Sequence, residues 1–155
     1  MKNYIKNAFY ILLAIALFAA WGCSNDDGHY KEQEIALNQL PSIARAFVGR
    51  HFNGDEPVRV VHDLTDTPAD YEVYLESGTK IEFDNSGNWT DVEVPVGMSV
   101  PASIIPEAIS LYLDRNYHGI GIHEISVDAL GYDVELNNGL ELLFDPAGTF
   151  IRIDK

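Results

Sequence analysis

"YDVELNNGLELLFD", Tyr132 to Asp145, restates a line written 61 residues earlier, "YEVYLESGTKIEFD", Tyr71 to Asp84. Extended to Trp89 and Phe150, the alignment keeps seven identities in nineteen positions, at Tyr71/Tyr132, Val73/Val134, Leu75/Leu136, Gly78/Gly139, Phe83/Phe144, Asp84/Asp145 and Gly87/Gly148. Tyr71, Val73 and Leu75, repeated at Tyr132, Val134 and Leu136, alternate, which is the period of a half-buried strand. Tyr71, Val73 and Leu75 share one face with Ile81 and Phe83. A two-residue loop at Ser77-Gly78 would set Val73 against Glu82 and bury charge. A three-residue loop, Glu76-Ser77-Gly78, sets Val73 against Ile81 and Tyr71 against Phe83, with glycine in the left-handed position of a bulged turn. By the same rule the second loop is Asn137-Asn138-Gly139, with Val134 against Leu142 and Tyr132 against Phe144.

Upstream, at an offset of 65, "LPSIARAFVGRHF" aligns with "IPEAISLYLDRNY". Leu40, Ile43, Ala44, Phe47, Val48 and His51 follow the i, i+3, i+4, i+7 spacing of an amphipathic helix. Ile105, Ala108, Ile109, Tyr112, Leu113 and Asn116 keep every step. Pro41 and Pro106 stand near the first helical position, and Gly54 and Gly119 follow the far ends. After each helix come four short alternating segments, "VRVVHDL", "YEVYLE", "TKIEFD" and "NWTDVE", then "GIHEISVD", "YDVELN", "LELLFD" and "TFIRID". The expected fold is therefore α+β: a tandem repeat of a helix plus a four-stranded antiparallel meander, with the helices packed on one face of the sheet. Repeat 1 spans 37–98 and repeat 2 spans 99–155. Either alone is too short for a substantial core, so the two should share a core or a sheet. "HDLTDTPAD" is longer than its counterpart "VDAL" and reads as a loop insertion.

Parity also assigns the opposite face. Glu72, Tyr74, Lys80 and Glu82 stand there in the first hairpin, and Asp133, Glu135, Glu141 and Leu143 in the second. Glu72 should lie opposite Glu82 and Glu135 opposite Glu141. Facing like charges are mildly destabilising, so such a face is either well solvated or suited to something cationic. Tyr74 and Leu143 are its apolar residues and candidate anchors for a protein partner. Glu72, Tyr74, Lys80, Glu82, Glu135, Glu141 and Leu143 are the candidate protein-binding set.

The N-terminus reads as a secretory signal over 1–22: Lys2 and Lys6, an apolar run from Ala8 to Trp21, then Gly22-Cys23. That run is shorter than the roughly 20 residues a spanning helix needs. Cys23 is the sole cysteine, so no internal disulfide forms, and its position resembles the lipidation site of bacterial lipoproteins. Trp21 departs from the small residue usual there. A lipid on Cys23 would anchor the protein to the bacterial envelope, at the outer membrane on its periplasmic or surface side. Residues 23–36, polar and aperiodic, read as a tether. Taking Lys2 and Lys6 from ten basic residues leaves eight against 24 acidic ones, a formal charge of −16. Such a surface repels nucleic acid and anionic lipid, leaving the N-terminal lipid as the only membrane contact.

Motifs of catalysis are not found. The five histidines lack zinc-helix spacing, and His51, on the apolar stripe, reads as structural. There is no nucleophile elbow, second cysteine or glycine-rich phosphate loop, and nothing asks for a cofactor or a metal. "DNSGN", Asp84 to Asn88, has the oxygen alternation that begins a calcium loop, but its glycine is misplaced and no closing glutamate follows, so it reads as a turn. Asp63, Asp66 and Asp70 in the inserted loop could gather a cation.

The helix-plus-meander units, with their Y-x-V-x-L, G, x-F-D and x-x-G-x-W elements, resemble the PepSY-like family described as β-lactamase-inhibitor-like, from Leu40 to Asp154. Phe150 replaces the motif tryptophan in the second unit, and Pro146-Ala147 changes its turn. The resemblance implies an exported, often lipid-anchored module without enzymatic activity. It implies binding, or inhibition, of an envelope or extracellular protein, with hydrolases and peptidases as the partner class. The alternative is an envelope structural or calcium-responsive module working through its acidic loops and face.

Overall fold

Two proline-led stripes become two ten-residue helices. The computed structural model describes residues 32–64 and 70–154. Cys23, the signal segment and Asp66 lie outside the described residues. Helix α1 is Ser42–His51 and helix α2 is Glu107–Asn116, each directly preceded by its proline. The missing N–H of proline costs nothing at a helix start, where the first amides have no intrahelical acceptor. Gly54 and Gly119, just beyond the far ends, have φ of +89° and +80°.

The strands are β1 (Glu32–Glu34), β2 (Pro57–Asp63), β3 (Asp70–Leu75), β4 (Lys80–Phe83), β5 (Trp89–Glu93), β6 (Ile122–Asp128), β7 (Gly131–Leu136), β8 (Glu141–Phe144) and β9 (Phe150–Ile153). All nine join in one antiparallel sheet whose spatial order is the chain order. A helix followed by four strands thus occurs twice along the chain, and β5 pairs with β6 to make the sheet continuous. One sheet therefore runs through both helix-and-strand segments.

Both hairpins take the register that parity requires. Tyr71 lies opposite Phe83 and Val73 opposite Ile81; Tyr132 lies opposite Phe144 and Val134 opposite Leu142. The amide of Leu75 donates to Thr79 O and that of Leu136 to Leu140 O, closing three-residue turns with Gly78 and Gly139 at φ +91° and +79°. The inner face continues across the sheet as one row: Val60, Val73, Ile81, Val92, Ile125, Val134, Leu142 and Ile153.

The helices cover this row through matching aromatic contacts. Phe47 meets Phe83 edge-on at 5.7 Å and stacks on Trp89 at 6.1 Å. Tyr112 meets Phe144 edge-on at 5.4 Å and stacks on Phe150 at 4.6 Å. Such pairs add about 0.5–1.5 kcal/mol beyond area burial. Gly87 and Gly148 let the turns press against the helix starts. A Cβ on Gly87 would lie 2.8 Å from Pro41 Cβ, and one on Gly148 would lie 2.9 Å from Ala108 Cβ.

Several expectations are corrected. Of the tether assigned to 23–36, the described residues belong to the fold instead: Glu32–Glu34 pairs with β2 and Ile35 packs against the core. No apolar alternation announces β1, since backbone pairing holds it together with ion pairs from Arg59 to Glu32 (3.4 Å) and Glu34 (4.0 Å). The helical stripes are wider than the faces they bury. Leu40 is buried ahead of α1, while Ile43 and Ala108 are exposed. In "HDLTDTPAD", Asp63 and Asp70 end and begin strands and face each other, so only the residues between them connect β2 to β3.

Candidate functional site: the outer sheet face

The face turned away from the helices is built from two rows of side chains. One runs Glu34, Val61, Glu72, Glu82, Asp91, Ser126, Asp133, Leu143, Arg152. The other runs Arg59, Tyr74, Lys80, Glu93, Glu124, Glu135, Glu141. All seven candidate binding residues lie on this face. Glu72 does face Glu82, and Glu135 does face Glu141.

The two halves handle that repulsion differently. Lys80 Nζ lies 2.6 Å from Glu82 Oε1 and 3.0 Å from Glu72 Oε1, bridging the facing pair. Burial lowers the Lys80 pKa, but hydrogen bonds to these carboxylates outweigh it and hold the amine well above its ordinary value. Tyr74 donates its hydroxyl to Glu72 Oε2 at 2.6 Å, and the Arg59 guanidinium lies 5.1 Å from its ring centre. Tyr74 is therefore committed to a local ionic cluster, and the sequence missed Arg59 as its cover.

In the second hairpin, Glu141 stands where Lys80 stands in the first. Glu124, Ser126, Asp133, Glu135 and Glu141 line a small cavity of about 60 Å³. Burial pushes the Asp133 carboxyl up to about 6, helped by the charge and hydrogen bond of Glu141 and by Asp154 and Glu124. Asp91, at the seam between the halves, is pushed up to about 8 by burial first, then by Glu124 and Glu82, against a lowering by Lys80. Asp91 and Glu124 also share a hydrogen bond. A cation at either place would relieve the same repulsion. Asp91, Glu93 and Glu124 were not singled out from sequence, although alternation about Val92 and Ile125 puts them on this face.

Beside the acidic cavity, Leu143 lines a cleft of about 500 Å³ with Leu130, Ile151, Arg152 and Asp133. Leu130 is 81% exposed. The cleft and the acidic cavity share Ser126 and Asp133, so an apolar recess and a carboxylate cluster adjoin.

Elsewhere, Asp84 accepts from the amides of Ser86 and Asn88 at 2.9 and 2.8 Å, and Asp145 accepts from Ala147 and Thr149 at 2.9 and 2.8 Å. Both are aspartate-capped turns. His51 Nδ1 lies 2.8 Å from Ser103 Oγ and its ring packs on Phe47, a structural placement. Among the described residues, no group of three histidine, cysteine, aspartate or glutamate side chains is arranged to hold a metal ion, and no helix is long and apolar enough to cross a membrane.

The profile of the family described as "Putative beta-lactamase-inhibitor-like, PepSY-like" matches residues 69–152, which include both hairpins and α2. The chain belongs to this PepSY-like family. Three solved structures share its fold. A "putative periplasmic protein of unknown function" from Bacteroides vulgatus is 32% identical with a TM-score of 0.76, covering 80% of this chain and 99% of its own. A "putative calcium-regulated periplasmic protein" from Bacteroides thetaiotaomicron is 35% identical with a TM-score of 0.76, covering 80% and 97%. A second Bacteroides vulgatus "putative periplasmic protein", of the DUF2874 family, is 34% identical with a TM-score of 0.73, covering 84% and 99%. No curated protein matches. The similarity runs over nearly the whole length of each of these three proteins, so this PepSY-like chain shares its overall fold with them.

Proposed function

We propose that this protein is a non-enzymatic, lipid-anchored module of the bacterial envelope that binds, and thereby can inhibit, a partner protein through the outer sheet face. In this reading the chain is a duplicated helix-plus-meander unit, Cys23 carries the lipid, and the periplasmic descriptions of the relatives support an envelope location. One observation carries the binding proposal: the acidic cavity of Glu124, Asp133, Glu135 and Glu141 adjoins the Leu143 cleft, and Glu141 replaces the internal cation Lys80. The complementary surface is a lysine or arginine beside an apolar side chain. Such an anchor gains from desolvated charge pairing and from apolar burial together.

Crosslinking and pull-down from the native envelope, with recovered proteins identified, tests the reading. Leu143→Ala and Glu141→Lys should each lose the partner while keeping the native melting profile. Recovery unchanged by both would remove this face from consideration.

A second reading, a calcium-responsive module, is favoured by the description of the Bacteroides thetaiotaomicron relative. Calcium bound to the native state raises the melting temperature in proportion to the logarithm of its concentration above Kd. A rise abolished by Glu141→Lys would support this reading. No rise with calcium, alongside intact partner capture, would leave the protein-binding reading alone.

A further inference from the structure

The inner row ends differently from how it runs. From Val60 to Leu142 its seven residues are at most 5% exposed, whereas the eighth, Ile153 on β9, is 50% exposed. Ile153 occupies the place in the second half that Val92 holds in the first, at an offset of 61. Val92 is fully buried because β6 pairs with β5 and sets Ile125 opposite it. β9 is the end of the sheet order and pairs only with β8 among the described strands.

The free edge has a defined hydrogen-bonding phase. The Asp154 amide donates to Glu141 O at 2.8 Å, so residue 154 points its backbone groups toward β8. Alternation then turns the N–H and C=O of Ile153 outward. At the internal seam, the Val94 amide donates to His123 O at 2.9 Å, which by the same alternation directs Val92 toward β6. The outward groups of Ile153 are thus in the phase that the chain itself uses to join its halves.

Charge at the edge is self-complementary. Arg152 and Asp154, two residues apart on the outer side, form an ion pair at 2.7 Å. A two-fold axis through an Ile153–Ile153 backbone pair would place Arg152 of each copy opposite Asp154 of the other. It would also set the two isoleucines side by side on the helix-backed face.

We propose that β9 is a homodimerisation edge: two copies join their sheets antiparallel about Ile153, with reciprocal Arg152–Asp154 pairs fixing the register. An isologous contact of this kind closes on itself and leaves no second free β9. It removes the exposed strand edge that natural sheets otherwise protect. The outer face stays open in both copies, and Arg152 serves both the dimer edge and the rim of the Leu143 cleft, so the dimer is read by its mass and not by partner capture.

Sedimentation equilibrium of the full chain, in a density-matched detergent at physiological ionic strength, tests it. The chain should form a dimer. Arg152→Asp and Asp154→Arg should each weaken it by about tenfold or more, by opposing like charges across the axis. The double variant Arg152→Asp/Asp154→Arg should restore it, because the pairs are re-formed with sign exchanged. Ile153→Pro, which removes only an outward N–H, should abolish the dimer while the melting profile stays cooperative. A chain that is monomeric from micromolar to millimolar concentration overturns the proposal. So does a dimer that is indifferent to all four variants, or a double variant no better than the singles. If Ile153→Pro fails to fold, the charge-exchange series alone decides.

Discussion

The Lys80 ammonium lies 2.6 Å from the carboxylate of Glu82, on the same strand and two residues away. Its second contact, to Glu72 at 3.0 Å, crosses to β3, so one cation holds together two carboxylates that face each other across the hairpin. At the equivalent position of the second hairpin stands a carboxylate, Glu141, opposite Glu135. The first half of the outer face thus carries a cation between its facing carboxylates, and the second half places a further carboxylate at that position.

Removing the bridge exposes the repulsion it suppresses. Lys80→Met should cost about 1 kcal/mol, a value kept modest because the side chains are partly solvated. Urea melts of variant and parent would measure it. The difference should shrink at high salt, which screens the Glu72–Glu82 repulsion. A loss that is unaltered by salt would mean that Lys80 acts through packing.

Phe83 and Phe144 are 0% and 1% exposed and sit beneath Phe47 and Tyr112. Phe83→Ala and Phe144→Ala should each cost roughly 3–5 kcal/mol, lost transfer energy plus a cavity that rigid neighbours cannot fill. Denaturation of each variant checks this. A cost below about 1 kcal/mol at either would refute the anchoring role.

Stability should fall as pH rises through neutrality. Asp133 and Asp91 have folded-state values of about 6 and about 8, above the unfolded reference near 3.9. The folded chain therefore keeps protons that the unfolded chain has released. That contribution is complete below the unfolded value and is lost as pH rises through the folded one, first at Asp133 and then at Asp91. Thermal melts between about pH 5 and pH 9 should show the decline, and Asp91→Asn should flatten its upper part. A parent melting temperature that rises over this range would contradict the assignment.

Hairpin register was legible in sequence because strand side chains alternate strictly and a one-residue slip would bury Glu82 or expose Phe83. The helices were legible for the same kind of reason, apolar spacing bounded by Pro41 and Pro106 in front and by Gly54 and Gly119 behind. The placement of Glu72 opposite Glu82 and Glu135 opposite Glu141 followed from that register. Lys80 was placed on the face, but its bridging of Glu72 and Glu82 was not, because a side-chain contact across strands depends on rotamers and local twist.

β1 was hidden because an edge strand held by backbone pairing and by Arg59 needs no apolar pattern. Asp91 and Glu124 were legible as outward-facing residues, yet their shared hydrogen bond depends on β5 pairing with β6, strands separated by a helix in the chain. By itself the sequence determined each hairpin's register and face, since those obey local periodicity. Only the tertiary structure decided how the two halves meet, which carboxylates crowd at the seam and that Ile153 ends the row uncovered, because each depends on contacts between residues far apart in the chain.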